Sequence, residues 1–348
     1  MNLKELTISL CSVMSISGHE MSGEEALREL VAPYFDEYRT DAVGNHLFVK
    51  KCGKENAPVC LIDAHFDEIG MIVTDIKEGG FLTVTSIGGL DPSIMQASEL
   101  KIYGKQTIHG IVASTPPHLL TPDAAKKLKP ITELMIDTGY PKEELEKIVS
   151  LGTPVGFAPV YRELLNDRIA GKSFDDKACA AAAIWALKDI DKNELAADVC
   201  LLLSCHEETD RLGGVTAAAF GIEPDYAMVV DVGFALVPDT KKNECAVMGE
   251  GIILTLSAVT DRKLTKITAE LFDEHEIKYT KIVAENHTGT NATPLGLVGC
   301  GVPVVDVGLP LKNMHTYTEM IDIHDSEALA NAIREFVSSE RIAEVFGR

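Results

Sequence analysis

The chain has 348 residues, which is enough for one large or two ordinary domains with a sizeable hydrophobic core. Its 46% hydrophobic and 24% charged residues are an ordinary globular composition, and no apolar run approaches the roughly 20 residues of a membrane span. A formal net charge of −21 argues against nucleic acid or an anionic membrane as a partner. The eight cysteines form no Cys-x-x-Cys pair, so we expect reduced thiols in a cytoplasmic protein without a signal peptide.

The first 69 residues predict two helices and then a short buried strand over residues 59–62. His65 and Asp67 follow at the carboxyl end of this strand. Positions i and i+2 of an extended segment face the same side, so the Asp67 carboxylate could orient the His65 imidazole for metal binding. A chance His-x-Asp pair is the alternative interpretation.

Residues 70–161 have a different pattern from the segments on either side. Short β-rich runs are separated by turn signals such as Gly79-Gly80 and Gly88-Gly89. This pattern predicts a small β-rich domain inserted into an α/β domain, and we find little catalytic chemistry in it.

The α/β pattern resumes at residue 162, and two acids precede its first helix. Asp175 and Asp176 stand directly before an alanine-rich run over residues 178–187, which is a strong helix former. Either aspartate could cap this helix. The other would then be free to bind a metal ion.

An uninterrupted apolar run over residues 199–203 predicts a strand buried on both faces of a parallel sheet. Glu207 and Glu208 follow at its carboxyl end, the edge at which open α/β sheets bind ligands. Two adjacent carboxylates repel each other, so we expect a positive charge beside them. We interpret Glu208 as a metal ligand and Glu207 as a proton carrier, with a solvated acidic loop as the alternative.

Two further strands deliver polar residues to the same edge. The apolar run over residues 226–230 ends in Asp231, whose burial is costly unless a cation or hydrogen bonds receive it. A strand over residues 302–307 precedes the loop that carries His315. One closing helix is expected from residue 326 to about 343.

Five candidate ligands therefore fall at strand ends or in the loops after them: His65, Asp175, Glu208, Asp231 and His315. Two histidines and three carboxylates suit two divalent ions of the zinc type. A bridging carboxylate is a natural way to hold two ions about 3.5–4 Å apart. Asp67 and Glu207 remain as acids that do not ligate, one to orient a ligand and one to move a proton during hydrolysis.

These motifs in this order resemble those of the tetrahedral (TET-type) di-metal aminopeptidases, also known as glutamyl or deblocking aminopeptidases and endoglucanases. The matching segments are His65-x-Asp67-Glu68, Asp175-Asp176-Lys177, Glu207-Glu208, Asp231-Val232, and His315 with Glu319. The resemblance covers essentially the whole chain. It implies that Asp175 bridges two ions, with His65 and Asp231 on one and Glu208 and His315 on the other. It also implies Glu207 as general base and Asp67 as orienting acid.

The resemblance implies a zinc-peptidase-like α/β fold, in which a mixed sheet has helices on both faces. We expect this catalytic domain to comprise residues 1–69 and 162–348, with residues 70–161 as the inserted β-rich assembly domain. The implied activity is removal of N-terminal residues from short peptides by two divalent ions, which are zinc, cobalt or manganese. The implied assembly is a dodecamer with its active sites facing an internal chamber.

The sequence departs from the family pattern near the site without losing a ligand. Lys177 stands where the family usually has arginine, Asn291 replaces the aspartate of a Gly-Thr-Asp-Ala motif, and Gly233-Phe234 replaces Thr-His. The segment after the glutamate pair, including Asp210-Arg211, also differs. Two alternatives stay open: a glycosidase that uses Glu207 with a second acid and no metal, and a metal-binding homologue without catalysis.

Overall fold

A computed structural model describes residues 1–119, 121, 123, 127–209 and 212–347, so Asp210 and Arg211 lie outside the described residues. The strands, in chain order, are β1 (Glu37–Thr40), β2 (His46–Lys50), β3 (Val59–His65), β4 (Gly70–Ile76), β5 (Phe81–Ile87), β6 (Glu99–Tyr103), β7 (Thr107–Val112), β8 (Ile136–Asp137), β9 (Pro154–Phe157), β10 (Arg162–Glu163), β11 (Arg168–Gly171), β12 (Asp198–Ser204), β13 (Tyr226–Phe234), β14 (Ile252–Ser257), β15 (Tyr279–Ala284), β16 (Val304–Leu311) and β17 (Glu319–Asp322). The helices are α1 (Leu3–Ser12), α2 (Glu24–Leu30), α3 (Lys142–Ile148), α4 (Phe174–Leu187), α5 (Gly213–Ile222), α6 (Arg262–Glu274), α7 (Ala292–Leu295), α8 (Ile323–Ser338) and α9 (Glu340–Phe346). Among the described residues, no helix is long and apolar enough to cross a membrane.

A sheet of eight strands forms the centre of the molecule, in the order β1-β2-β12-β3-β13-β16-β14-β15. The four central strands β12, β3, β13 and β16 run parallel, whereas β2 and β14 lie antiparallel beside them. Continuous apolar runs make these central strands, as expected for strands buried on both faces. The predicted α/β fold with a mixed sheet is confirmed.

Helices cover both faces of this sheet, and alternate residues of each strand face opposite sides. On β3, Cys60, Ile62 and Ala64 pack into a large core with α1, α4, α6 and α8, whereas Leu61 belongs to a second core with α5 and α7. By the same alternation, Asp63 and His65 lie on the second face. Helices α5 and α7 on this second face do not cover the carboxyl ends of the central strands. The candidate functional site lies at these strand ends.

The segment after β3 closes into a six-stranded barrel in the order β4-β5-β8-β7-β6-β9. The barrel has its own hydrophobic core, to which Met71, Val84, Leu100 and Val155 belong. All six strands lie within residues 70–161, as the β-rich pattern predicted. The division of the chain into two domains at 69/70 and 161/162 stays a prediction.

The closing helix is broken where one helix was expected. Helix α8 ends at Ser338 and α9 begins at Glu340. The hydroxyl of Ser339 accepts a hydrogen bond from the main-chain N–H of Ile342 at 3.3 Å and so caps the second helix. A serine cap outcompetes helix continuation here, which helical periodicity alone does not reveal.

Candidate metal centre

Side chains from five separate segments meet at the carboxyl edge of the large sheet. His65 ends β3, Asp231 lies in β13, and the glutamate pair follows β12. Asp175 lies at the start of α4, where its backbone is not helical, and His315 lies in the loop between β16 and β17. Neither Asp175 nor Asp176 caps α4 through its side chain, because the cap position is Ser173 and no side-chain hydrogen bond is made there.

Asp175 lies between the two histidines. Its Oδ1 is 3.0 Å from Nε2 of His65, and its Oδ2 is 3.3 Å from Nε2 of His315. Burial opposes the charge on Asp175, but His315 and His65 outweigh it and lower the pKa of this carboxyl. One carboxylate therefore presents one oxygen to each imidazole, which is the arrangement that a bridging ligand requires.

Each histidine also has an acid of its own beside the same ring nitrogen. Nε2 of His65 lies 3.8 Å from Oδ1 of Asp231, and Nε2 of His315 lies 3.3 Å from Oε2 of Glu208. Burial raises the pKa of Asp231 and of Glu208, and neighbouring carboxylates raise both further. Oε1 of Glu208 is buried and has no hydrogen-bond partner.

Asp67 contacts the ring of His65 through both its main-chain carbonyl and its carboxylate, and the carbonyl contact is the shorter. Nδ1 lies 3.0 Å from the main-chain carbonyl oxygen of Asp67 and 3.5 Å from its carboxylate. A carbonyl only accepts, so Nδ1 carries a proton. Nε2 faces the acids, and it is the nitrogen that a metal ion would bind in place of a proton.

The Asp67 carboxylate also positions the loop that carries the glutamate pair. Its Oδ1 accepts from the main-chain N–H of Glu207 and its Oδ2 from that of Glu208, each at 3.0 Å. Burial opposes the charge on Asp67, but His65, Ser17 and the main-chain N–H of Glu207 outweigh it and lower the pKa of this carboxyl. Asp67 is fully buried, so both glutamates are held by a rigid acceptor.

Glu207 faces the centre without bonding to it. Its Oε2 lies 3.9 Å from Nε2 of His65, and its side chain is largely buried. Burial raises the pKa of Glu207 to about 7, with Asp175 and Asp67 adding to the effect. A carboxylate with this pKa changes protonation state near neutral pH, as a general base does.

The donor set fits divalent cations. Oxygen and nitrogen atoms of His65, Asp175 and Glu208 lie within 4.8 Å of one another, as do those of His65, Asp176 and Asp231. Buried carboxylates that repel one another and an orphaned oxygen are stabilised by a nearby cation. Asp176 is an alternative ligand on this evidence, since both its oxygens are buried without a hydrogen-bond partner.

Glu319 positions the segments that carry Asp175 and His315, a role that its place in the motif did not reveal. Its Oε1 accepts from the main-chain N–H of His315 at 3.0 Å. Its Oε2 accepts from the main-chain N–H groups of Phe174 and Asp175, at 2.7 and 3.2 Å. One buried carboxylate thus ties together the two segments that carry Asp175 and His315.

The barrel segment also supports the site. Nδ1 of His315 lies 3.1 Å from the main-chain carbonyl oxygen of Gly89, which again leaves Nε2 for the centre. A Cβ atom at Gly89 would lie 2.8 Å from that nitrogen, so a larger residue would displace the ring. The β-rich segment therefore contributes a backbone contact to the candidate centre.

Lys177, where the family usually has arginine, lies fully buried below the site. Its Nζ donates to the main-chain carbonyl of Val13 at 2.7 Å and lies 3.5 Å from Oε1 of Glu68. Lys172 donates to the other oxygen of Glu68. Burial opposes the charge on Glu68, but the two lysines outweigh it and lower its pKa to about 2. Lys177 thus supports a buried ion-pair network next to Asp67.

Asn291 stands where the family pattern has an aspartate. Its side chain faces the carboxylate of Asp63, which accounts for an amide at this position. Its Nδ2 donates to Oδ2 of Asp63 and to Oγ of Ser204, each at 2.9 Å. All three residues are buried, and burial raises the pKa of Asp63 to about 6. An aspartate at position 291 would remove the donor and add a second carboxylate.

We therefore expect Asn291→Asp to lower the free energy of unfolding by about 1–3 kcal/mol, because a buried acid loses its donor. The loss should be larger at pH 8 than at pH 5, since both carboxyls are ionised in the unfolded chain at pH 8 and folding must bring the two charges together or protonate one of them. Urea denaturation at both pH values measures it, with Asn331→Asp on the exposed face of α8 as the matched control. Equal stability of the variant and the parent at pH 8 would contradict this account.

The centre opens into a cavity of about 620 Å³. Its described lining includes the candidate residues His65, Asp175, Glu207, Glu208, Asp231 and His315. The opposite part is lined by β14, β15 and β16 and by the loop before α7, with Phe234 and Met314 beside them. A space of this size is typical of a small-molecule or peptide site.

Comparison with known proteins identifies a family for this chain. Residues 44–331 match the family described as M42 glutamyl aminopeptidase. The lysyl aminopeptidase of Pyrococcus furiosus is 29% identical, over 95% of this chain and 96% of that protein. The TET aminopeptidase of a marine sediment archaeon of the Thaumarchaeota has 27% identity and a TM-score of 0.91, over 99% of this chain and 98% of that one.

A second solved structure concerns assembly. The TET1 peptidase of Pyrococcus horikoshii, which assembles into a tetrahedron or a large octahedral shell, has 25% identity and a TM-score of 0.84. The match covers 97% of this chain and 99% of that one. Sequence motifs, fold and full-length similarity thus agree with one another, and the chain belongs to the M42 glutamyl aminopeptidase family of peptide-bond hydrolases.

Proposed function

We propose that the cluster around Asp175 is the active site of a di-metal aminopeptidase that removes N-terminal residues from short peptides. The observation that carries the proposal is the placement of Asp175, whose two oxygens face two different histidines. His65 and Asp231 would hold one ion, and Glu208 and His315 the other. The short distances within each pair support this division. Zinc, cobalt and manganese all suit imidazole and carboxylate donors.

Two bound ions would polarise the scissile carbonyl and make an attacking water more acidic. Glu207 takes the proton from that water and later gives it to the leaving amine. Its side chain is largely buried and lies 3.9 Å from Nε2 of His65, so it faces the centre where the water would be activated. Asp67 positions Glu207 and Glu208 through their main-chain N–H groups, so the base is held before substrate binds.

We also propose that the chain assembles into a dodecamer, as the family resemblance implied. The structural similarity to the TET1 peptidase, which assembles into a tetrahedron, supports this proposal. An enclosed chamber would restrict substrates to short, unfolded peptides. A cytoplasmic location stays a prediction; all eight cysteines are free thiols, which is compatible with it.

Metal removal tests the proposal. Treatment with a chelator should abolish hydrolysis of aminoacyl-arylamides, and adding back zinc, cobalt or manganese should restore it. A peptide with an acetylated N-terminus should not be cleaved, because an aminopeptidase needs a free amine. Chelator-resistant hydrolysis of a β-glucan would favour a glycosidase. Metal binding without hydrolysis of any peptide would indicate a homologue that has lost catalysis.

A further inference from the structure

We propose that Asp306 binds the cationic side chain of the substrate's N-terminal residue, so that the enzyme prefers lysine or arginine at that position. This inference rests on the proposed aminopeptidase function and adds a specificity residue to it. It depends on where Asp306 lies, on how it is partnered, and on what surrounds it.

Asp306 lies in the wall of the cavity that contains the candidate metal ligands. It belongs to β16, next to β13, and the residue paired with Asp231 is Gly308, two positions further along the strand. Asp306 and Gly308 therefore face the same side of the sheet. Strand spacing places the backbones of Asp231 and Asp306 about 8 Å apart. The extended side chain of lysine has four methylene groups. It spans a gap of this size when the α-amino group of the substrate is anchored at the metal centre and the side-chain ammonium points toward Asp306.

Gly308 lies beside Asp231 on the neighbouring strand and packs against Ile253. Gly308 presents no side chain to the cavity, and a Cβ atom there would lie 3.2 Å from Cβ of Ile253 and 3.3 Å from the main-chain oxygen of Asp231. Ile253 and Ile282 line the same part of the cavity. These apolar walls suit the methylene groups of a long side chain, whose charged end would then reach Asp306.

Asp306 is buried yet incompletely partnered. It is 2% exposed, and its Oδ2 has no hydrogen-bond partner. Burial raises the pKa of Asp306 to about 7, although the hydroxyls of Thr255 and Thr290 act in the opposite direction. A buried carboxylate without a partner is unfavourable, and a cation brought by the substrate would satisfy it.

The charge of the cavity favours the same ligand. Of the described residues that line it, none is lysine or arginine, and Glu244 adds an acid besides Asp306 and the residues of the candidate centre. An acidic N-terminal side chain would find repulsion there and no counter-charge. An uncharged side chain would fit the walls but leave Asp306 unpaired. A cationic one satisfies both requirements.

Lysyl- and norleucyl-arylamides test the inference, because norleucine has the same carbon chain as lysine without the ammonium group. The parent enzyme should have a kcat/KM at least tenfold higher for the lysyl substrate. In Asp306→Asn this preference should fall about tenfold or more, since the isosteric amide carries no charge. The norleucyl rate should change less than threefold, and the melting temperature of the variant shows whether the fold is kept.

Glu244→Gln is the comparison variant, because Glu244 is an exposed acid in the same cavity wall. Water screens an exposed charge, so we expect the lysine preference to change less than twofold. Asp306→Ser provides a second substitution if the asparagine variant is unstable, and it should show the same loss of preference.

Two results would overturn the inference while the proposed function stands. One is metal-dependent hydrolysis that favours norleucine or glutamate over lysine in the parent enzyme. The other is an equal fall of both rates in Asp306→Asn, which would make Asp306 structural. Absence of hydrolysis for every free N-terminal residue, with metals bound, would overturn both the inference and the proposed function.

Discussion

Glu207→Gln is expected to lower kcat by about 10²–10⁴-fold, because glutamine cannot accept the proton that hydrolysis releases from water. Glutamine has the same shape as glutamate. Oε2 of Glu207 lies 3.9 Å from Nε2 of His65, which is too far for a hydrogen bond. The metal content should therefore equal that of the parent. Steady-state kinetics with an aminoacyl-arylamide and elemental analysis of the same preparation measure the two quantities.

Glu208→Gln is the matched control for this prediction. It makes the same chemical change one residue away, but at a side chain that lies 3.3 Å from His315 and is assigned to a metal ion. We expect this variant to lose metal as well as activity. If Glu207→Gln kept near-normal turnover, or if both variants lost metal equally, the role given to Glu207 would be wrong.

Asp175→Asn is expected to weaken the binding of both ions, by roughly tenfold or more for each. The bridging position is the reason: each oxygen of Asp175 faces a different histidine, and an amide offers only one acceptor oxygen. Activity should fall with metal content and should be restored only partly by excess metal. Metal titration followed by calorimetry measures the change for each ion.

Asp176→Asn distinguishes the role of Asp176 in metal binding from that of Asp175. In the proposed assignment Asp176 holds neither ion, and an amide has the same shape as its carboxyl group. We expect metal affinity and stability close to those of the parent. If Asp176→Asn lost metal and Asp175→Asn did not, the second aspartate would be the ligand and the choice between them would be reversed.

Much of the site could be predicted because its residues follow local patterns. An apolar run that ends in His65, Glu207-Glu208 or Asp231 identifies a strand and the edge to which it delivers a polar group. Order along the chain then allowed the family resemblance to assign roles. Three features could not be found in this way. They are the carboxylate of Glu319 bound to two distant segments, the amide of Asn291 opposite Asp63, and Asp306 in the cavity wall.

For Asp63, which Asn291 faces, and for Asp306, the physical cause is strand register. Asp63, Asp231 and Asp306 lie on strands separated by long stretches of chain, and each side chain faces the same side of the sheet only because of strand register. A shift of one residue would turn any of them into the opposite core. Register is set by pairing between strands, which no local pattern in one strand specifies.

The amino-acid sequence by itself determined the element types, the mixed α/β class and the β-rich character of residues 70–161. The spacing of apolar residues, the glycines at turns and the acids at strand ends are local properties of the sequence. They can therefore be interpreted one segment at a time. Only the tertiary structure decided that Asp175 faces both histidines, that Asp67 holds the glutamate loop, and that Asp306 shares their cavity. These relations depend on distances between side chains that the folded sheet alone brings together.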